Sequence, residues 1–294
     1  MMVKKKILAA VIAVAAVGMF AGSAGAAESV TPPRQDWSFA GPFGTFDRGQ
    51  LQRGLKVYRE VCQACHGLSL VAFRTLAQPG GPGFSPAQAA AIAAEYQVQD
   101  GPNDQGEMFE RAGRPADRFP SPFPNEQAAR AANGGAYPPD LSVVAKARTY
   151  ERGFPWFLFD IVTQYQEQGP DYLVALLTGY EDNPPEGVTL PEGTHYNKYF
   201  PGHAIGMPKP LSDGQVTYSD GAPETTAQYA KDVTAFLMWT AEPHMEARKR
   251  IGFQVMIFLI VFAGLLYFTK KKVWREVEKP RELAHGQDPR GTTM

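Results

Sequence analysis

From Asp47 onward the apolar side chains Leu51, Leu55, Tyr58 and Cys62 recur every three or four residues, with polar residues between them. That spacing predicts a helix with one buried stripe. Val71, Ala72, Phe73 and Leu76 continue the apolar lining, and residues 78–84, rich in glycine and proline, interrupt it. Ser85-Pro86 fits an N-cap followed by proline at the first helical position, which opens a helix through an alanine-rich stretch to Tyr96. Asn125 is placed to cap a short helix that stops at Asn133-Gly134-Gly135, and Asp140 another that runs through Arg148. An aromatic-rich helix is expected from residues 154–159 to Gln168, a further one over 172–178, and a small strand over 216–218. From Thr225 a helix carries Val233, Phe236, Leu237 and Trp239 on one stripe and runs to Pro243, where a break is expected. The pattern is mainly helical, and 25 prolines and 29 glycines keep long loops between the helices.

The two ends follow different patterns. Lys4-Lys5-Lys6, an apolar stretch over 7–20 and Ala24-Gly25-Ala26 match a secretory signal, so residues 1–26 are expected to be removed. Residues 251–269 carry no charge and lie between Arg248-Lys249-Arg250 and Lys270-Lys271-Lys272. As a helix they reach about 28 Å, enough to cross a bilayer core of about 30 Å. The expected organisation is an external domain over 27–247, a membrane anchor over 248–272 and a tail over 273–294. The heavier basic load on the tail places it on the cytoplasmic side.

The formal net charge of −1 hides an asymmetry: residues 27–247 hold 26 acidic and 16 basic side chains, a net of −10. So acidic an external domain argues against nucleic acid and favours basic partners, steered in a salt-dependent way.

Only two cysteines occur, in Cys62-Gln63-Ala64-Cys65-His66. A C-x-x-C-H pentapeptide points to covalent attachment of one haem, each thiol adding to a vinyl group, with His66 as an axial ligand of the iron. A zinc site wants a second pair of ligands, and none is present. A thioredoxin-type redox pair expects a βαβ context that the flanks lack. A disulfide closing so small a loop stabilises little. The second axial ligand has several external candidates: Met108, Met207, Met238, Met245, His195, His203 and His244. Met207 stands out because prolines and glycines from Pro201 to Pro210 fix an irregular loop; His203 comes next. A Met opposite a His leaves no substrate site, which means electron transfer. An open iron would instead suit a sensor or peroxidase.

Several stretches resemble the cytochrome c1 family. They are Arg53-Gly54-Leu55-Lys56-Val57-Tyr58 through the C-x-x-C-H motif to Val71-Ala72-Phe73-Arg74, the run from Arg130 to Ser142, Leu177-Thr178-Gly179-Tyr180, the run from Tyr199 to Pro208, and Ala230 through Pro243 to Arg250. The resemblance implies a mainly α haem domain like a class I cytochrome c, with long loops, insertions and one C-terminal transmembrane helix. It implies the haem c subunit of a bacterial cytochrome bc1 (ubiquinol–cytochrome c reductase) complex in the inner membrane, its haem domain in the periplasm. Its partners would be cytochrome b, the Rieske iron–sulfur protein, a soluble basic cytochrome c of c2 type, and lipid. It carries Met207 over as distal ligand and places Asn133, Pro139, Arg148 and Tyr172 around the haem, Arg148 near a propionate. Some bacterial relatives brace the distal loop with an extra cysteine pair, which this chain lacks. Residues 78–106 and 149–170 look like insertions. The alternative is a free-standing tethered cytochrome c that serves an oxidase; its haem domain would be about 100 residues on a flexible linker.

Overall fold

The computed structural model describes residues 30–150, 155–163, 165 and 167–285. The expected signal segment lies outside them, as does the tail beyond 285. In chain order the described helices are α1 (Arg48–Glu60), α2 (Pro86–Ala94), α3 (Glu126–Ala132), α4 (Val144–Ala147), α5 (Trp156–Thr163), α6 (Gln168–Thr178), α7 (Thr226–Ala241) and α8 (Met245–His285). Two small antiparallel pairs join β1 (Gln97–Asp100) to β2 (Phe109–Ala112) and β3 (His195–Tyr196) to β4 (Ala204–Ile205). The chain is mainly α, as its periodicity predicts.

The core is built on the crossing of α1 and α7. Asp47 starts α1 by accepting from the Gln50 amide at 2.8 Å, and the helix buries Leu51, Leu55, Val57 and Tyr58. The helices touch at Gly54, where a β-carbon would lie 2.1 Å from the Asp232 carbonyl oxygen, so only glycine fits. Asp232 is fully buried. Its carboxylate accepts from Arg53 Nε at 2.8 Å, Gln228 Nε2 at 2.8 Å and Gln50 Nε2 at 3.2 Å. A buried charge is tolerable only when bonded in this way. Tyr58, Phe73, Phe119, Phe236 and Trp239 fill the space around the crossing. Helices α4 and α6 pack against α7 as well.

Several expectations needed adjustment. Helix α1 stops at Glu60, and Cys62–Ala64 forms a separate 3-10 turn; a three-to-four spacing does not distinguish the two. The acidic stretch after Tyr96 folds as the largely exposed β1–β2 hairpin. Its Arg111 pairs with Asp117 at 2.6 Å and also with Asp100. Residues 216–218 are not a strand. The Tyr229 hydroxyl meets both the amide of Val216, at 3.2 Å, and its carbonyl, at 2.5 Å, and takes the place of a ladder. Helix α6 begins at Gln168, not at Tyr172, because Pro170 falls in its first turn, where a missing N–H costs nothing. The break at Pro243 is as expected, and α8 follows it. Within Met245–Arg275 an 18-residue window reaches a mean hydropathy of 2.4, and none of that window is buried by the domain.

Candidate haem site

Cys62 and Cys65 sit directly behind α1, both half-buried and both free thiols. Burial, reinforced by the neighbouring Cys65, pushes the Cys62 thiol up to about 12. It therefore stays neutral, which suits contact with an apolar macrocycle. Cys65 and His66 both donate their amides to the Cys62 carbonyl, at 3.1 and 2.9 Å, which tightens the turn.

The His66 ring is fixed from one side. Its Nδ1 lies 2.7 Å from the Pro139 carbonyl oxygen. A carbonyl only accepts, so Nδ1 carries the proton and Nε2 keeps its lone pair, the arrangement found behind metal-bound imidazoles. Burial lowers the His66 pKa and outweighs the opposing effects of the Pro139 acceptor and the Asp140 charge, so the ring is held neutral.

The segment after His66 is laced to the segment after Pro139. Asp140 accepts from the amides of Ser69 and Ser142, both at 2.8 Å. Leu141 donates to the Gly67 carbonyl at 2.9 Å, and the Tyr58 hydroxyl donates to the His66 carbonyl at 2.9 Å. Burial alone would raise the Asp140 carboxyl, but hydrogen bonds from Ser142 and Ser69 prevail and hold it below the usual carboxylate value. Asn133 closes α3 by donating from Nδ2 to the Ala129 carbonyl at 2.7 Å.

Met207 is half-buried on the loop after β4. Its carbonyl accepts from the Tyr180 hydroxyl at 3.0 Å. At Gly206 a β-carbon would lie 3.1 Å from the Ala136 methyl, so the Met207 loop rests on the loop that holds His66. Asn197, fully buried, supports the same loop: Nδ2 donates to the Leu176 carbonyl at 2.7 Å, and Oδ1 accepts from the amides of Tyr199 and Phe200 at 3.1 and 3.2 Å. His203 stands at φ 59°. Its ring stacks on Tyr196 at 5.6 Å, with Nδ1 3.3 Å from the Asn197 carbonyl. His195 pairs with Ile205 beside the same loop, and the remaining candidates lie elsewhere. Met108 is 56% exposed by the hairpin, Met238 is buried inside α7, and Met245 is buried at the start of α8. His195 and His244 are exposed.

Tyr172 is buried on α6. Burial raises its phenol, and the Arg148 charge opposes the shift. Burial also raises Tyr180, with Tyr172 adding to it. Arg148 is exposed at the end of α4. The structure thus brings the Pro139 carbonyl to His66, and the Met207 loop to Ala136 and Tyr180. The roles of Tyr180, Asn197 and Asp140 as supports were not foreseen. Each is made by residues far apart in the chain, and only the Leu-Thr-Gly-Tyr run marked Tyr180 at all.

These residues fit a covalently held haem: paired thiols, a neutral imidazole with Nε2 free, a thioether on the adjoining loop, and exposed Tyr137 and Val143 on either side of Pro139. Among the described residues no group of three His, Cys, Asp or Glu side chains comes together, so the cysteine pair has no companions for a tetrahedral zinc.

Comparison with known proteins agrees. The model of the Cytochrome C1 family matches residues 37–277. A protein of Bradyrhizobium diazoefficiens named cytochrome b/c1 is 71% identical over 271 residues, covering 91% of this chain but 39% of that relative. Cytochrome c1 of Blastochloris viridis is 55% identical, with 85% of this chain and 88% of the relative covered. Cytochrome c1 of Rhodospirillum rubrum is 44% identical, with 90% and 97% covered. With the family model matched over most of its length and a C-x-x-C-H turn backed by a fixed histidine, the chain belongs to the cytochrome c1 family.

Proposed function

We propose that this chain is the membrane-anchored, single-haem electron relay of a ubiquinol–cytochrome c reductase. As a cytochrome c1 it is a haem protein of electron transport, of the bc1 class, with a C-terminal membrane helix. In our reading Cys62 and Cys65 would bind one haem c by thioether bonds, and His66 and Met207 would ligate its iron. Asn133, Pro139 and Tyr172 wall the group, and Arg148 offers its guanidinium to a propionate. The observation that carries the reading is the 2.7 Å contact of His66 Nδ1 with the Pro139 carbonyl, which leaves Nε2 as a ligand atom.

The haem supplies reversible one-electron exchange. The chain orients the imidazole through Pro139 and steadies the Met207 loop through Tyr180 and Asn197. No side chain needs to move a proton. One electron arrives from the Rieske iron–sulfur subunit and leaves to a soluble basic cytochrome c, whose approach the acidic external domain favours. The relative named cytochrome b/c1 supports cytochrome b as a neighbour. We place residues 27–247 in the periplasm, the anchor over 248–272 in the bacterial inner membrane and the tail over 273–294 in the cytoplasm, on the strength of Lys270-Lys271-Lys272 beyond the span.

An anaerobic redox titration of the detergent-solubilised protein, with carbon monoxide added to the reduced form, tests the site. The expected result is one haem of high positive potential that binds no carbon monoxide. A low potential or ready carbon monoxide binding overturns the Met207 assignment. Gentle purification of the tagged chain tests the assembly: cytochrome b should accompany it, and recovery of the chain alone returns the reading to a free-standing cytochrome c that serves an oxidase.

A further inference from the structure

Where the external domain meets α8, the structure holds a cavity of about 540 Å³ lined by the 42–45 turn, the Pro79-Gly80 turn and residues 243–253. We infer that this cavity seats the phosphate headgroup of an anionic phospholipid from the leaflet on the haem-domain side of the membrane.

Position comes first. The apolar span begins at Ile251, so Lys249 and Arg250 stand at the height of lipid headgroups, one residue or two outside the hydrocarbon. Phe43 is 72% exposed and meets Phe253, the third residue of the span, edge-on at 5.4 Å. The domain therefore places an apolar aromatic side chain beside the first turn of the apolar span. Acyl chains would run down past this pair.

Charge comes second. Three charged groups line the cavity: Lys249, Arg250 and Glu246. The Lys249 ammonium is held by the carbonyls of Phe39 and Gly44, at 2.6 and 3.3 Å, so its charge is fixed but not neutralised by a carboxylate in direct contact. Glu246 Oε1 accepts from the Phe46 amide at 2.8 Å, and Oε2 would lie 3.7 Å from a β-carbon at Gly80 on the cavity wall. Arg250 is exposed and makes no ion pair among the described residues. Its neighbour Arg248 differs, being paired with Glu242 at 2.8 Å. The side chains lining the cavity thus sum to one positive charge under a domain of net −10, and Arg250 is one guanidinium free to receive a phosphate in bidentate fashion. His244 adds a further polar group on the rim.

Membranes containing the full-length holoprotein in its native assembly are reconstituted with phosphatidylcholine plus phosphatidylglycerol carrying a photoreactive headgroup. Labelled peptides are then mapped by mass spectrometry. Labelling is expected on the 42–45 and 79–80 turns, which share only this cavity with α8. Arg250→Gln should lower it about fivefold, the factor that one basic side chain carries at an anionic surface. Arg248→Gln should leave it unchanged, and an unaltered haem α-band in both variants shows that the fold is kept. Labelling confined to residues 251–275, equal labelling by a phosphatidylcholine probe, an Arg250→Gln variant that labels like the parent, or loss of labelling in excess inorganic phosphate would each overturn the assignment; the last would make free phosphate the ligand.

Discussion

The Tyr180 hydroxyl donates to the carbonyl oxygen of Met207 at 3.0 Å, tying the residue just beyond α6 to a loop 27 residues further on. No disulfide exists to do this work, since the only two cysteines lie in the C-x-x-C-H turn. Tyr180→Phe removes the bond and keeps the ring. The loop should lose about 1 kcal/mol of support. Covalent haem should remain, and the reduced variant should bind carbon monoxide faster than the parent. Equal binding rates would show that the hydroxyl does not steady the loop.

Met207→Leu tests the ligand itself. The residue keeps its bulk but loses the thioether sulfur. The variant should retain its covalent haem, show a sharply lower midpoint potential and accept carbon monoxide. A titration curve that overlays the parent's removes Met207 from the iron.

Asp232 tests the core. Its carboxylate gathers Arg53, Gln50 and Gln228 where α1 crosses α7. Asp232→Ala leaves those donors unpaired, and breaking a buried pair costs about 3 to 5 kcal/mol. Arg53 keeps its second partner, Asp220, at 2.6 Å, which favours the lower end. Urea unfolding of the holoprotein, followed by circular dichroism, measures the loss; a shift under about 1 kcal/mol would mean that the crossing is held by apolar packing alone.

Two carboxylates give stability opposite dependences on pH. The bidentate contact with Arg111 holds Asp117 well below its ordinary value, at about 2. Its stabilisation is full above the unfolded carboxylate value and is lost as pH falls through that value toward 2. Asp171 behaves in reverse. Burial raises it despite hydrogen bonds from Tyr165, Trp37 and Gln35, so its contribution declines as pH rises across its window. Asp117→Asn should therefore destabilise at neutral pH and make no difference near pH 2. A stability gap between variant and parent that does not change with pH would contradict the Arg111 contact.

The acidic external domain predicts electron transfer to a basic cytochrome c that slows as ionic strength rises. Stopped-flow rates across a salt series measure it, and a flat series removes long-range steering from the account.

Much was legible along the chain. Ser85 caps α2 in a full capping box with Gln88, Asn125 caps α3, and Thr225 caps α7, each where its side chain type and the following pattern put it. The C-x-x-C-H turn, the charge-free span and the break at Pro243 were equally readable. What local pattern missed was structure that depends on a distant partner. The 97–112 hairpin carries no alternating apolar face, and its ion pairs through Arg111 do the holding. Val216 looked like a strand until the Tyr229 hydroxyl supplied its backbone partners.

The sequence by itself determined which atoms are present to hold a haem and where the membrane is crossed, because both follow from residue type and spacing within a few positions. Only the tertiary structure decided that the Pro139 carbonyl, 73 residues from His66, would set the imidazole's tautomer. It also decided that Tyr180 and Asn197 would support the Met207 loop, and that Phe43 and Arg250 would meet over one cavity. Those relations depend on where a chain returns after tens or hundreds of residues. The packing of α1 on α7 and the hydrogen bonds of buried polar groups fix that return, and no short window of sequence contains both partners.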